Sequence, residues 1–223
     1  MSEIPSKGAA SNKRGISAKQ QNRLVFAIYA ARRYVERTGD SSTAPGHHLL
    51  GLLLEQNQEY DNAVAAYETA YKRVVSSDMH DKKTRLWIAL THLGRAQCSA
   101  ERFIDAVDTY TRADALMGGD DADILQSALG PECGKQMFYF ALGFSLALFF
   151  AERLEDSLRR FEQALAQSEN VPSVRPLVAV MLSQVLWALG TDEHRALARQ
   201  YLLEVIGEHT DYLPGLSSLF AVG

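Results

Sequence analysis

One arrangement of side chains returns three times along this chain, and a returning arrangement restricts the fold more than any single motif does. Residues 47–71 read HHLLGLLLEQNQEYDNAVAAYETAY, residues 86–116 read LWIALTHLGRAQCSAERFIDAVDTYTRADAL, and residues 138–165 read FYFALGFSLALFFAERLEDSLRRFEQAL. In each, an apolar helix containing a small residue runs into a polar turn. A second helix then opens on Tyr60, Phe103 or Leu154. Its small residues are Ala63, Ala106 and Ser157, its aromatics are Tyr67, Tyr110 and Phe161, and its alanines are Ala70, Ala113 and Ala164. Steps of four and then three put these side chains on one helix face. The small residues let the two helices of a hairpin close, and the aromatic fills the space between neighbouring hairpins. Such units cannot bury their faces alone and must stack.

This pattern resembles the tetratricopeptide repeat, whose unit of about 34 residues carries Leu-Gly in its first helix and Ala, aromatic and Ala in its second. Leu50-Gly51 and Leu93-Gly94 match it. In the third copy the small position falls on Ser145 by counting back from Ser157, with Gly143 two residues earlier, and both registers stay open. A fourth, degenerate copy spans about 174–206, with Ala198, Leu202 and Val205 in second-helix positions and Gly190 as the C-cap between its helices. The expected fold is all-α: tetratricopeptide-type helical hairpins stacked in a right-handed superhelix. Residues 1–17 read as a disordered basic leader and 18–223 as the array. Within it fall an amphipathic helix at 18–37, repeats at about 44–75, 84–117, 135–168 and 174–207, and the start of a further repeat at 212–223. Gly51 to Gly94 is 43 residues and Gly94 to Gly143 is 49. The extra residues fall at 76–83 and 118–130, the latter with room for a short helix capped by Asp120 or Asp121. The helix at 18–37 lacks a hairpin partner and the sequence closes on Leu219, Phe220 and Val222, so the chain reads as a piece of a longer array.

Composition removes several function classes. There are 23 Lys+Arg against 27 Asp+Glu, and a pI near 5.9 gives no global reason for nucleic-acid or anionic-membrane binding. Cys98 and Cys133 stand 35 residues apart, which excludes a disulfide scaffold or zinc ribbon and fits a reducing compartment. No secretory signal is present in residues 1–20. The apolar run Met137–Ala151 has 15 residues, short of the ~20 that a membrane span needs, and reads as a buried or partner-covered helix. His47 and His48 are adjacent on a helix and diverge by about 100°, so they do not chelate one ion together. The stretch around Ser145 lacks the second glycine of a nucleophile elbow and lies mid-helix. Asp120, Asp121 and Asp123 lack the Gly and Glu of a calcium loop. With no phosphate-binding glycine loop either, the sequence offers no catalytic residue, no metal site and no cofactor, and the expectation is a non-enzyme.

What remains is capture of protein segments along the inner face of the first helices. Repeats that hold acidic chaperone tails carry Lys, Asn and Arg there. The corresponding positions are read as His48 and Leu52, Ile88 and His92, and Tyr139 and Gly143, so no chaperone-tail clamp is expected. The third copy instead offers Tyr139, Leu142, Leu146, Phe149 and Phe150, an apolar line suited to an extended segment or amphipathic helix. The competing reading has neighbouring helices or the chain's own leader cover these residues.

Three stretches, GHHLLGLLLEQNQEYDNAVAAYETA, KQMFYFALGFSLALFF and LLEVIGEHTDYLPGLSSLFAVG, resemble the large tetratricopeptide subunit of the fungal superkiller complex, across about residues 22–223. The resemblance implies a cytoplasmic scaffold, with the nucleus as the alternative. Such a scaffold holds a DExH-box RNA helicase and WD-repeat subunits in an assembly that feeds RNA to the exosome for 3′-to-5′ mRNA decay. Catalysis there belongs to the helicase, so no catalytic residue carries over and no direct nucleic-acid or membrane contact is implied for the body. Two other readings stay open: a generic adaptor in ubiquitin-ligase or transport machinery, and a regulatory helical domain that binds a small ligand.

Overall fold

The small, aromatic and alanine positions of the second helices are sealed from solvent in all three copies. Ala63, Tyr67, Ala70, Ala106, Tyr110, Ala113, Ser157, Phe161 and Ala164 are each at most 1% exposed. Ala198 and Leu202 are equally buried and Val205 nearly so, which gives the fourth copy the same packed face. A computed structural model describes residues 17–38, 44–78, 81–117 and 127–208. Its helices are α1 (Ala18–Thr38), α2 (Ala44–Gln56), α3 (Tyr60–Val75), α4 (Lys82–Ser99), α5 (Phe103–Ala115), α6 (Cys133–Phe150), α7 (Leu154–Gln167), α8 (Arg175–Leu189) and α9 (Asp192–Glu208). No strand occurs among the described residues. Each helix packs on the next in sequence, and α4 lies in addition against α6. The result is a row of antiparallel hairpins, α2–α3, α4–α5, α6–α7 and α8–α9, with α1 laid against α2.

Three of the hairpins turn in the same way. Gln58, Glu101 and Glu152 occupy the left-handed region at φ of 64°, 60° and 60°. The next N–H in each case donates to the carbonyl five residues back: Glu59 to Leu54 at 2.9 Å, Arg102 to Gln97 at 2.8 Å, and Arg153 to Leu148 at 2.9 Å. This closes the last helical turn and reverses the chain. The fourth hairpin uses a shorter device. Gly190, at φ 79°, ends α8, and the Thr191 hydroxyl accepts from the His194 N–H at 3.2 Å to start α9.

The register of the third repeat follows from what each small residue faces. A Cβ on Gly51 would lie 2.6 Å from the Tyr67 ring, and one on Gly94 2.9 Å from the Tyr110 ring. Ser145 takes the corresponding place: the Ser157 hydroxyl donates to its carbonyl at 2.9 Å, and its own hydroxyl donates to the Ala141 carbonyl at 2.7 Å. Gly143 answers a different demand, since a Cβ there would sit 2.2 Å from the Tyr110 hydroxyl of the preceding repeat. This register corrects the inner-face positions read from sequence. The equivalents of His48 and Leu52 are Thr91 and Arg95 in the second repeat, and Leu142 and Leu146 in the third.

Helix α6 is apolar all round because it serves two cores. Phe140, Phe144, Ala147 and Leu148 join Trp87, Leu90, Val107 and Tyr110 on one side. Phe138 and Ala141 join Phe161, Val178, Leu182, Val185 and Leu186 on the other. The helical run is also longer than the 15 residues read from sequence: it extends back to Ser127, and 127–150 and 172–189 both reach the length and apolarity of a membrane span. In both, most of the large apolar side chains pack on neighbouring helices, with Tyr139, Phe150 and Leu177 left open. The basic leader up to residue 16, Asp120, Asp121, Asp123 and the expected repeat start at 212–223 lie outside the described residues.

Candidate partner-binding groove

The α6 line splits by depth. Tyr139 and Phe150 remain 44% and 54% exposed. Leu142, Leu146 and Phe149 are half-buried against the core shared by α6, α7 and α8. The five side chains share one stripe of the helix, but only its edge is open. Phe150 turns to the preceding hairpin and stacks on Phe103, ring centroids 4.8 Å apart.

A second feature lies between the first helices α2 and α4. A cleft of about 360 Å³ is lined by Pro45, His48, Leu49, Leu52, Arg85 and Ile88 among others. Deeper between the same helices, the rings of His48 and His92 meet edge to face at 4.6 Å, and both lie against Tyr67 at 5.4 and 5.7 Å. Glu55 closes this group: it accepts from the Tyr67 hydroxyl at 2.8 Å and takes a two-point contact from Arg95, at 2.9 and 2.6 Å. The Arg95 guanidinium also lies 2.9 Å from His92 Nδ1. Since arginine only donates, Nδ1 is the acceptor and the ring proton belongs on Nε2. Burial, then the Arg95 charge, then His48 hold the His92 pKa down to about 3. Burial and then Arg95 lower that of His48, with Glu55 pulling the other way. Both imidazoles are therefore neutral at neutral pH, and the cleft is a mainly aliphatic slot, with Ala70, Val74 and Ala89 beside the neutral His48. Arg85 at its mouth is engaged by Asp81 at 2.8 Å. Such a slot suits an apolar side chain of an extended segment.

The sequence put His48 and His92 on the inner face but not in contact with each other or with Glu55 and Arg95, because the group draws its members from two repeats. The signal was the 43-residue spacing: superposing the two copies puts His92 one residue past the equivalent of His48. Among the described residues no three His, Cys, Asp or Glu side chains converge as metal ligands.

Comparison with solved structures decides the architecture. YrrB, described as a TPR protein with an unusual peptide-binding site, superposes with a TM-score of 0.60, covering 90% of this chain and 85% of that one at 19% identity. This chain is a tetratricopeptide-repeat array. The array resembles a stretch of Superkiller protein 3 of Schizosaccharomyces pombe, 31% identical over 202 residues, covering 89% of this chain and 12% of that protein. It is also similar to Tetratricopeptide repeat protein 37 of Xenopus laevis, 27% identical over 153 residues, 68% of this chain and 8% of that one. The array thus spans about a tenth of the length of these relatives. No family model matches it.

Proposed function

We propose that the array is a non-enzymatic scaffold of the superkiller type, holding partner proteins in cytoplasmic 3′-to-5′ mRNA decay. The repeat fold itself carries the coarser statement, that this is a protein-interaction scaffold. The observation behind the binding face is that the first helices leave apolar side chains open: Leu49 at 53% exposure over the α2–α4 cleft, and Tyr139 at 44% along α6. The likeness to Superkiller protein 3 over most of the chain supports the particular assembly. Its partners would be a DExH-box RNA helicase and WD-repeat proteins, with the chemistry left to the helicase.

The test is affinity capture from nuclease-treated cytosolic extract, comparing the wild-type chain with Leu49→Asp and Tyr139→Asp and reading bound proteins by mass spectrometry. Both substituted residues are exposed, so circular dichroism should be unchanged. An RNA helicase or WD-repeat proteins retained by the wild type and lost by either variant would support the proposal. Retention of chaperones or of another assembly keeps the fold and overturns the superkiller assignment.

A further inference from the structure

The turns of the second and third repeats form an edge unlike that of the first. Phe103, which opens α5, and Phe150, which ends α6, stack at 4.8 Å with ring planes 23° apart. Ile104, beside them, is 74% exposed and Phe150 54%. Together with Glu101, Arg102, Asp105, Ala151 and Glu152 they line an open cleft of about 440 Å³. At the equivalent places the first repeat carries Gln56 for Phe150, Gln58 for Glu101 and Glu152, and Asp61 for Ile104. The fold of the turn therefore does not require these apolar side chains, and leaving them in water brings no folding gain.

The charges around the patch are one-sided. Arg102 is tied to Asp105 at 2.7 Å. Glu101 and Glu152 pair with no cation among the described residues. Both sit in the left-handed position of their turns, at φ 60°, so the shared turn geometry brings the two carboxylates to the same cleft. An apolar seat between two unpaired carboxylates repels phosphate-bearing ligands and favours Lys or Arg beside an apolar anchor.

We infer that this turn edge is a second docking surface, which takes an apolar side chain flanked by Lys or Arg in a segment of a partner protein. It is separate from the α2–α4 cleft and meets the α6 line only at Phe150. A tetratricopeptide array that grips one segment along its first helices has a further hold along its turns.

The test is selection of a random dodecapeptide display library on the full chain, in parallel with selection on the double variant Ile104→Asp/Phe150→Ser. Peptides enriched on the wild type and lost on the variant should share a large apolar residue with Lys or Arg within two positions. Their affinity should fall about five-fold or more on Glu101→Gln/Glu152→Gln, whose uncharged amides leave the apolar seat in place, and should fall again with added salt. The Ile104 δ1 methyl resonance should shift on adding such a peptide, and Tyr139→Asp should leave the affinity unchanged. If no peptide discriminates wild type from variant, or if the discriminating peptides carry acidic or uncharged flanks, the inference is overturned. That outcome leaves the groove reading standing, because Leu49→Asp and Tyr139→Asp report on it separately.

Discussion

At the scale of single residues, Gly143 has the least room of the described glycines: a Cβ there would lie 2.2 Å from the Tyr110 hydroxyl oxygen. In an isolated helix Gly→Ala gains about 1 kcal/mol. Here overpacking should reverse the sign, and Gly143→Ala should cost about 1–3 kcal/mol in urea unfolding. Placed in a Tyr110→Phe background, the same change should cost at least about 1 kcal/mol less, and strictly additive effects would contradict the contact. His92 gives a pH prediction. Its pKa is near 6.5 when unfolded and is held to about 3 in the fold. Below pH 6.5 the unfolded chain therefore takes up a proton that the folded chain refuses. Stability is full above pH 6.5 and falls as pH drops from there toward 3; His92→Asn should flatten the decline between pH 6.5 and 5. A decline of unchanged slope in the variant would remove His92 from the account. Tyr67 and Ala70 were legible from sequence because a buried small–aromatic–alanine face is a local matter. Counting back from Ser157 reached Ser145, but choosing it over Gly143 needed two contacts the sequence does not show: the Ser157 hydroxyl on the Ser145 carbonyl and the Tyr110 hydroxyl against Gly143. The His48–His92 contact was hidden for a related reason: it exists only once two repeats are superposed.

At the scale of elements, the turns hold a reserve of strain. Gln58, Glu101 and Glu152 sit at φ of 60–64°, where a side chain costs about 1–2 kcal/mol. Glycine relieves that cost and returns part of it as backbone entropy in the unfolded chain. Each substitution to Gly should raise stability by roughly 0.5–1 kcal/mol, whereas Gly190→Ala, at φ 79°, should lower it by about 1 kcal/mol. Thermal melts of the four variants decide this, and destabilised Gly variants would mean the side chains are held in place by contacts that outweigh the strain. The hairpin turns could be located in the sequence by their polar residues, but the left-handed position could not, because none of the three carries the glycine that signals it. Helix α6 showed the opposite difficulty. Its apolarity was plain, but its packing between two cores, with Phe150 directed at Phe103, depends on neighbours on both sides.

At the scale of the whole molecule, cohesion runs from neighbour to neighbour. Ion pairs cross successive junctions: Arg32 to Glu59 at 2.8 Å, Arg95 to Glu55 at 2.6 Å, and Arg160 to Asp114. Helix α1 is covered on one side only, leaving Val25, Phe26 and Tyr29 more than half exposed. Amide hydrogen exchange should accordingly be slowest in α4 to α7 and fastest in α1 and α9, in graded steps. Uniform protection across all nine described helices would contradict nearest-neighbour cohesion. The junctions also differ in kind. Helix α4 packs directly against α6, whereas α2 and α4 face each other across a cleft bridged by the histidine pair and the Glu55–Arg95 contact. In mechanical terms the array is a chain of links, each joined to the next where a second helix meets the following first helix, at α3–α4, α5–α6 and α7–α8.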